Sequence, residues 1–298
     1  MRDRYRPGQI LADHLLESAR PESARPALRR GLARLVPLAA LLVPLAGCGD
    51  SSTAPDLGEG GDGGEPPPPE LFSHTLNPGA SARAFLADEE FTALVVEIDV
   101  VGALQPGQEA LDSLQVFLER RLNKPGGISI VLDESIPSPG LSPYSVAEVR
   151  ALEEEHRDTF TEGSTLAAYF LFLDGSFETE NVLGIAYFNT SMAIFEEVIR
   201  NNSGAIGEPR TEVIEATVMR HEIGHILGLV NNGTPMLGAQ GGPDDHHDEA
   251  HGAHCTVEGS LMYFQVETTN FIVNLTSGGG VPELEPLDIA DLRANGGR

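Results

Sequence analysis

His221-Glu222-Ile223-Gly224-His225-Ile226-Leu227-Gly228 closes a longer run, Glu212 to Leu229, in which Val213, Ile214, Ala216, Val218, Ile223, Ile226 and Leu227 are spaced for a buried helix. Four residues of α-helix turn by about 400° and rise by about 6 Å, so His221 and His225 stand one above the other and both rings reach a single ion. Zinc accepts imidazole nitrogen and, in catalytic sites, keeps one position open for water. Glu222, next to the first His, is placed to take a proton from that water instead of binding the metal. Unpaired polar groups inside an apolar helix are costly, which argues against two accidental histidines. Gly228, three residues past His225, lets the chain leave the helix sharply, as a nearby third ligand requires.

Upstream, Phe91–Val101 has the composition of a strand, and Glu109–Leu122 sets Leu111, Leu114, Phe117, Leu118 and Leu122 on one helical stripe that Lys124-Pro125-Gly126-Gly127 stops. Ile128–Leu132 and Leu166–Leu173 read as strands, Ser145–Arg157 as a helix with Ser145 near its N-cap, and Val182–Phe188 as a further strand. That order predicts an α+β fold, a mixed sheet backed by helices, with no internal repeat. Pro286–Leu292 reads as a short amphipathic helix, ending at Asn295-Gly296 and closing the lower part of the domain. One catalytic domain from Leu71 to Arg298 accounts for all of this.

The 298 residues are 41% hydrophobic, which excludes disorder for most of the chain. The net charge is −26, and without residues 1–47, which carry eight Arg against four acidic residues, it is −30. Attraction to nucleic acid or an anionic lipid surface is therefore not expected. Two cysteines, Cys48 and Cys255, rule out a disulfide scaffold.

At the N-terminus, Arg29, Arg30 and Arg34 precede the apolar stretch Leu35–Gly47, which is short for a membrane span and suited to a signal peptide. Its end, Leu45-Ala46-Gly47-Cys48, resembles the lipobox of bacterial lipoproteins, whose Cys is lipidated and becomes the new N-terminus. Residues 1–47 are thus expected to be a signal peptide, with Met1–Leu28 unusually long for one and consistent with an early start codon. Residues 48–70, rich in Gly, Asp, Glu, Ser and Pro, are expected to be a lipid-anchored, solvated tether. The expected product is exported and held to the bacterial membrane by lipid alone, at the outer membrane where the source has one, because Gly49 is not the Asp that retains some lipoproteins in the inner membrane.

His221, Glu222, His225 and Gly228, with Met262 in Ser260-Leu261-Met262-Tyr263, resemble the signature of the metzincin metallopeptidases, H-E-x-x-H-x-x-G-x-x-H followed by a Met-turn. The compact signature would put the third His at 231, where this chain has Asn231. His246, His247, His251 and His254 follow downstream. In the archaemetzincin-like branch the third His is followed by Cys, four residues, another Cys, one residue and the Met. His254-Cys255 through Met262 is similar to that frame, with Ser260 in place of the second Cys and 23 residues inserted between positions 231 and 254. The resemblance therefore implies His254 as third ligand, with His251 as the alternative, and Met262 as a floor beneath one catalytic zinc ion. Tyr263 directly follows the Met, and Phe264 stands where some members of the clan carry a Tyr ligand, so no Tyr ligand is assigned. That branch also holds a structural zinc on four Cys, of which this chain keeps Cys255 alone. One ion is expected, and Cys255 reads as a small buried hydrophobe.

The resemblance further implies an endopeptidase, assumed monomeric, that binds extended protein or peptide substrate along an edge strand. Leu183-Gly184-Ile185-Ala186-Tyr187 is similar to that strand, with Gly184 and Ala186 on the substrate side, although an ordinary core strand fits the residues equally well. The insertion, residues 232–253, is rich in His and Asp at Asp244-Asp245-His246-His247-Asp248 and reads as a solvated loop, with a lid or a cation site as alternatives. Two functional rivals remain open: a gluzincin-type peptidase with a carboxylate such as Glu249 as third ligand, and a non-catalytic metal-binding or metal-scavenging surface lipoprotein.

Overall fold

The computed structural model describes residues 72–238, 241–242, 244–275 and 279–298. The expected signal peptide, the tether and Cys48 lie outside the described residues. Among the described residues no helix is long and apolar enough to cross a membrane.

The elements run α1 (Ala82–Leu86), β1 (Ala93–Val101), α2 (Gln108–Arg121), β2 (Gly127–Ile136), α3 (Val146–His156), β3 (Thr165–Leu173), β4 (Gly184–Phe188), β5 (Ser191–Phe195), α4 (Glu196–Asn201) and α5 (Thr211–Ile226). A 3₁₀ turn (Phe264–Glu267), α6 (Thr269–Asn274) and α7 (Pro286–Ala294) follow. The five strands form one sheet in the order β2-β1-β3-β5-β4. Pairing is parallel except between β4 and β5, which makes the sheet mixed and β4 its edge. The architecture is α+β, as the order of sequence patterns predicts.

Alternation along the strands explains how one sheet carries two cores. Leu94, Val96 and Ile98 of β1, Phe170 of β3 and Ile194 of β5 pack with α2 and α5, while Tyr169, Leu171 and Leu173 of β3 pack with Tyr144 and Val149 around α3. Because β3 is buried on both faces, it reads as a continuous apolar run. Ser145 caps α3 in a reciprocal box with Glu148. The sequence reading lacks α1, the 3₁₀ turn and α6, and it departs from the structure between β4 and α5. Ser191–Phe195 forms β5 and Glu196–Asn201 forms α4, where the sequence pattern gave one strand and then the long helix. The reversal at Asn189-Thr190 carries no Gly or Pro, and β5 is buried throughout, so neither a turn signal nor an alternation marks it. Buried Asn189 holds the turn: its Nδ2 donates to the Ser73 carbonyl at 2.9 Å and its Oδ1 accepts from the Leu76 amide at 3.0 Å.

In α5 every residue from Ile214 to Ile226 is buried. Each of Ile214, Val218, Ile223 and Ile226 contributes about 1.5–3 kcal/mol by that burial, enough to hold polar groups between them in place. The helix ends in a Schellman motif: the Leu229 amide donates to the Gly224 carbonyl and the Gly228 amide to the His225 carbonyl, both at 3.1 Å. Gly228 has φ +74° and the next turn has Val230 and Asn231 at +51° and +62°. The chain therefore turns away at the position where the compact signature would place its third His.

Candidate active site

One helical turn apart on α5, the His221 and His225 rings lie with centroids 4.7 Å apart and their Nε2 atoms 3.1 Å apart. His254 arrives from the far end of the insertion and places its Nε2 3.3 Å from that of His221. The three rings come from a helix and a distant loop, and all three are buried. His221 Nδ1 donates to the Leu261 carbonyl at 2.7 Å, and His254 Nδ1 donates to the His251 carbonyl at 2.7 Å. Each bond fixes the tautomer that leaves a lone pair on Nε2. Two such lone pairs facing each other repel unless a cation lies between them, so the donor set fits a divalent ion. The separations are also close to the roughly 3.3 Å edge of a tetrahedron built on zinc–imidazole bonds.

Glu222 is fully buried beside this cluster, and neither carboxylate oxygen has a hydrogen-bond partner. Burial, followed by the charge of Glu267, pushes its carboxyl well above the usual range, and the neighbouring Ala186 amide offsets only part of that. Its space depends on Gly184: a Cβ there would stand 2.7 Å from Glu222 Oε1 and 2.6 Å from Val218 Cγ1. Gly184 and Ala186 thus lie on the edge strand against α5. Ile185 and Ala186 line a cavity of about 450 Å³ shared with Asn77, Pro78, His225, Asn232 and Glu267.

Met262 lies fully buried under α5, so close that a Cβ on Gly224 would stand 2.2 Å from its Sδ. Gly224 is therefore the residue that lets the Met-turn rise against the helix. His251, the alternative ligand, stands apart: its Nδ1 bonds Asp248 Oδ2 at 2.6 Å and its ring stacks on Phe264 at 3.7 Å. Glu249 is exposed and outside the group of donors.

Sequence reasoning missed Glu267. Its Oε2 lies 3.5 Å from His254 Nε2 and 3.8 Å from His221 Nε2, so a carboxylate joins the three imidazoles as a fourth donor. Burial pushes Glu267 up, but hydrogen bonds and charge from His221 and His254 outweigh it and hold the carboxyl well below the usual range. Burial, reinforced by the two neighbouring rings, lowers His225 well below the ordinary imidazole value, whereas at His254 burial is outweighed by Glu267 and the shift is upward. The available signal was an acidic residue five places past Met262, ending the short apolar segment Tyr263–Val266.

No family model and no curated protein matches the chain. Among solved structures it is similar in fold to archaemetzincin from Methanopyrus kandleri, at 13% identity over 68% of this chain and 96% of that one, with a TM-score of 0.41. It is also similar to metalloproteinase-II from Bacteroides fragilis, at 15% identity over 72% of this chain and 59% of that one, with a TM-score of 0.39. Identities this low leave the chemistry to the side chains themselves.

Proposed function

We propose that the chain is a zinc-dependent endopeptidase, with His221, His225 and His254 as metal ligands and Glu222 as general base. The observation that carries this reading is the convergence of three Nε2 lone pairs beside a buried carboxyl without partners, at the edge of a sheet. Zinc held there supplies Lewis acidity toward a peptide carbonyl and lowers the pKa of bound water toward 7. Glu222, adjacent to the ligand ring of His221, accepts the proton and returns it to the leaving amine. The β4 edge supports strand addition by an extended peptide, with main-chain pairing giving affinity and little side-chain selectivity. Glu267 borders the cavity and adds negative charge on the side of the cluster away from α5's start. The reading includes export and lipid attachment at Cys48, for which the lipobox-like sequence is the support.

Glu222→Ala is expected to keep the catalytic zinc and lose about 10²–10⁴-fold in casein hydrolysis, whereas His254→Ala loses the ion itself. Metal analysis beside a peptide-library digest checks both. A Glu222 variant that cleaves at the wild-type rate would overturn the general-base assignment, and a zinc-loaded wild type that cleaves nothing would leave a binding lipoprotein instead.

A further inference from the structure

Behind the Met-turn lies a second group of donors that the peptidase reading does not use. His246, Cys255, Glu285 and Asp288 bring one ligand atom each within 4.8 Å of one another, and His246, Cys255 and Asp288 are buried. His246 Nδ1 stands 2.8 Å from Glu285 Oε1, 3.4 Å from Asp288 Oδ1 and 3.7 Å from Cys255 Sγ. Tetrahedral zinc with sulfur, nitrogen and oxygen ligands has edges of about 3.3–3.6 Å.

The polar partners of each residue are arranged around these atoms. His246 Nε2 donates to Asp291 Oδ2 at 3.1 Å, and Asp291 Oδ1 accepts from the Leu237 amide at 2.7 Å. A ring whose Nε2–H is held by a fixed carboxylate presents a lone pair at Nδ1, the arrangement found behind metal-bound histidines. Asp288 Oδ2 accepts from Ser260 Oγ at 3.2 Å, while its Oδ1 is buried without a hydrogen-bond partner, and so is Glu285 Oε1. Cys255 Sγ accepts from the Val257 amide at 3.3 Å, while burial pushes its thiol up to about 12. Among the described residues no Lys or Arg forms an ion pair with Glu285, Asp288 or Asp291.

We infer that His246, Cys255, Glu285 and Asp288 form a closed structural site for a second divalent ion of the zinc class, with Asp291 orienting His246. The insertion is not merely a solvated loop, since His246 is buried, and the inference goes beyond the expectation of a single ion with Cys255 as a small buried hydrophobe. The donors come from the insertion, from the residue after His254, and from the N-cap and first turn of α7, so one ion would staple three segments. The Met-turn lies between the two clusters: Cys255 donates its amide to the Met262 carbonyl at 2.7 Å, and the Leu261 carbonyl orients His221. The second ion would therefore fix His254 and the Met-turn in place.

The test uses the full chain carrying Cys48→Ser, so that Cys255 is the sole thiol. Wild-type sequence at all other positions is expected to hold two equivalents of zinc, and its cobalt(II) form to show thiolate-to-metal charge transfer in the near ultraviolet. Cys255→Ser removes that band and one equivalent. His221→Ala/His225→Ala, which destroys only the first cluster, keeps the band and one equivalent. It decides the matter even if the Cys255 variant does not fold. One equivalent in the parent and no thiolate band in either protein would overturn the inference, whether or not the protein cleaves peptides.

Discussion

The two donor clusters share one short turn, Ser260-Leu261-Met262, yet differ in charge and in access. On one side stand three imidazoles, which bind a metal as uncharged ligands, and the Glu267 carboxylate, beside Glu222 and a cavity lined by β4 and Asn232. On the other stand a thiol, one imidazole and two carboxylates, closed in by α7 and the chain before it. Three imidazoles with a single carboxylate at the rim leave an ion more of its positive charge to act on water and carbonyls. Four ligands with three negative charges quench that acidity and fill the shell, which suits a staple and not a catalyst. Chemistry and scaffolding can thus be told apart by charge and access.

The largest expected effect comes from separating the two clusters at the turn. Gly224→Ala places a methyl 2.2 Å from Met262 Sδ and 2.9 Å from its Cε, so Met262 must move although the helix itself gains propensity. The displaced turn carries the Leu261 carbonyl that orients His221. A shift of about 1 Å at that point costs about 10²-fold in kcat/KM. Peptide hydrolysis with metal analysis would show an impaired enzyme that keeps the ion behind the turn. An unchanged rate would mean that the Met-turn does not set the geometry of the first cluster.

The two clusters were unequally legible in the sequence. His221 and His225 are a helical-period pair, and local geometry alone joins them. His254 needed a family frame, because the 27 residues of loop and turn between the helix end at Ile226 and the third ring follow no period. Glu267 and the second cluster depend on chain closure over longer distances: Cys255 meets Glu285 and Asp288 only because α7 folds back under the Met-turn, against Ser260. Glu285 and Asp288 form a capping box at the start of α7, and nothing in their spacing joins them to Cys255. In the fold, β1, β3 and the helices α2, α3, α5 and α7 were readable from apolar runs and stripes, while β5 was hidden by a reversal built on Asn189, whose side chain bonds the segment at Ser73–Leu76.

A smaller effect sharpens the contrast. Asp291→Asn keeps the shape beside His246 and removes the charge that makes its ring a stronger ligand, so affinity at the second cluster is expected to fall about 10–100-fold. Zinc competition against a chromophoric chelator reads this. At saturating zinc, kcat/KM stays at the parent value, because Asp291 touches no residue of the first cluster. An unchanged chelator titration would remove Asp291 from its orienting role.

The smallest expected effect tests which His completes the open site. His251→Ala deletes a ring that is 43% exposed, bonded to Asp248 and stacked on Phe264. It leaves the residue 251 carbonyl that accepts the His254 Nδ1–H, so the orientation of the third ring persists. The lost stack costs about 0.5–1.5 kcal/mol in stability at most. Both ions and the turnover of the parent should remain, in contrast to His254→Ala. If His251→Ala instead empties the first cluster, the loop must rearrange on metal binding to exchange the two rings, and the three-imidazole geometry described above would belong to the metal-free chain alone.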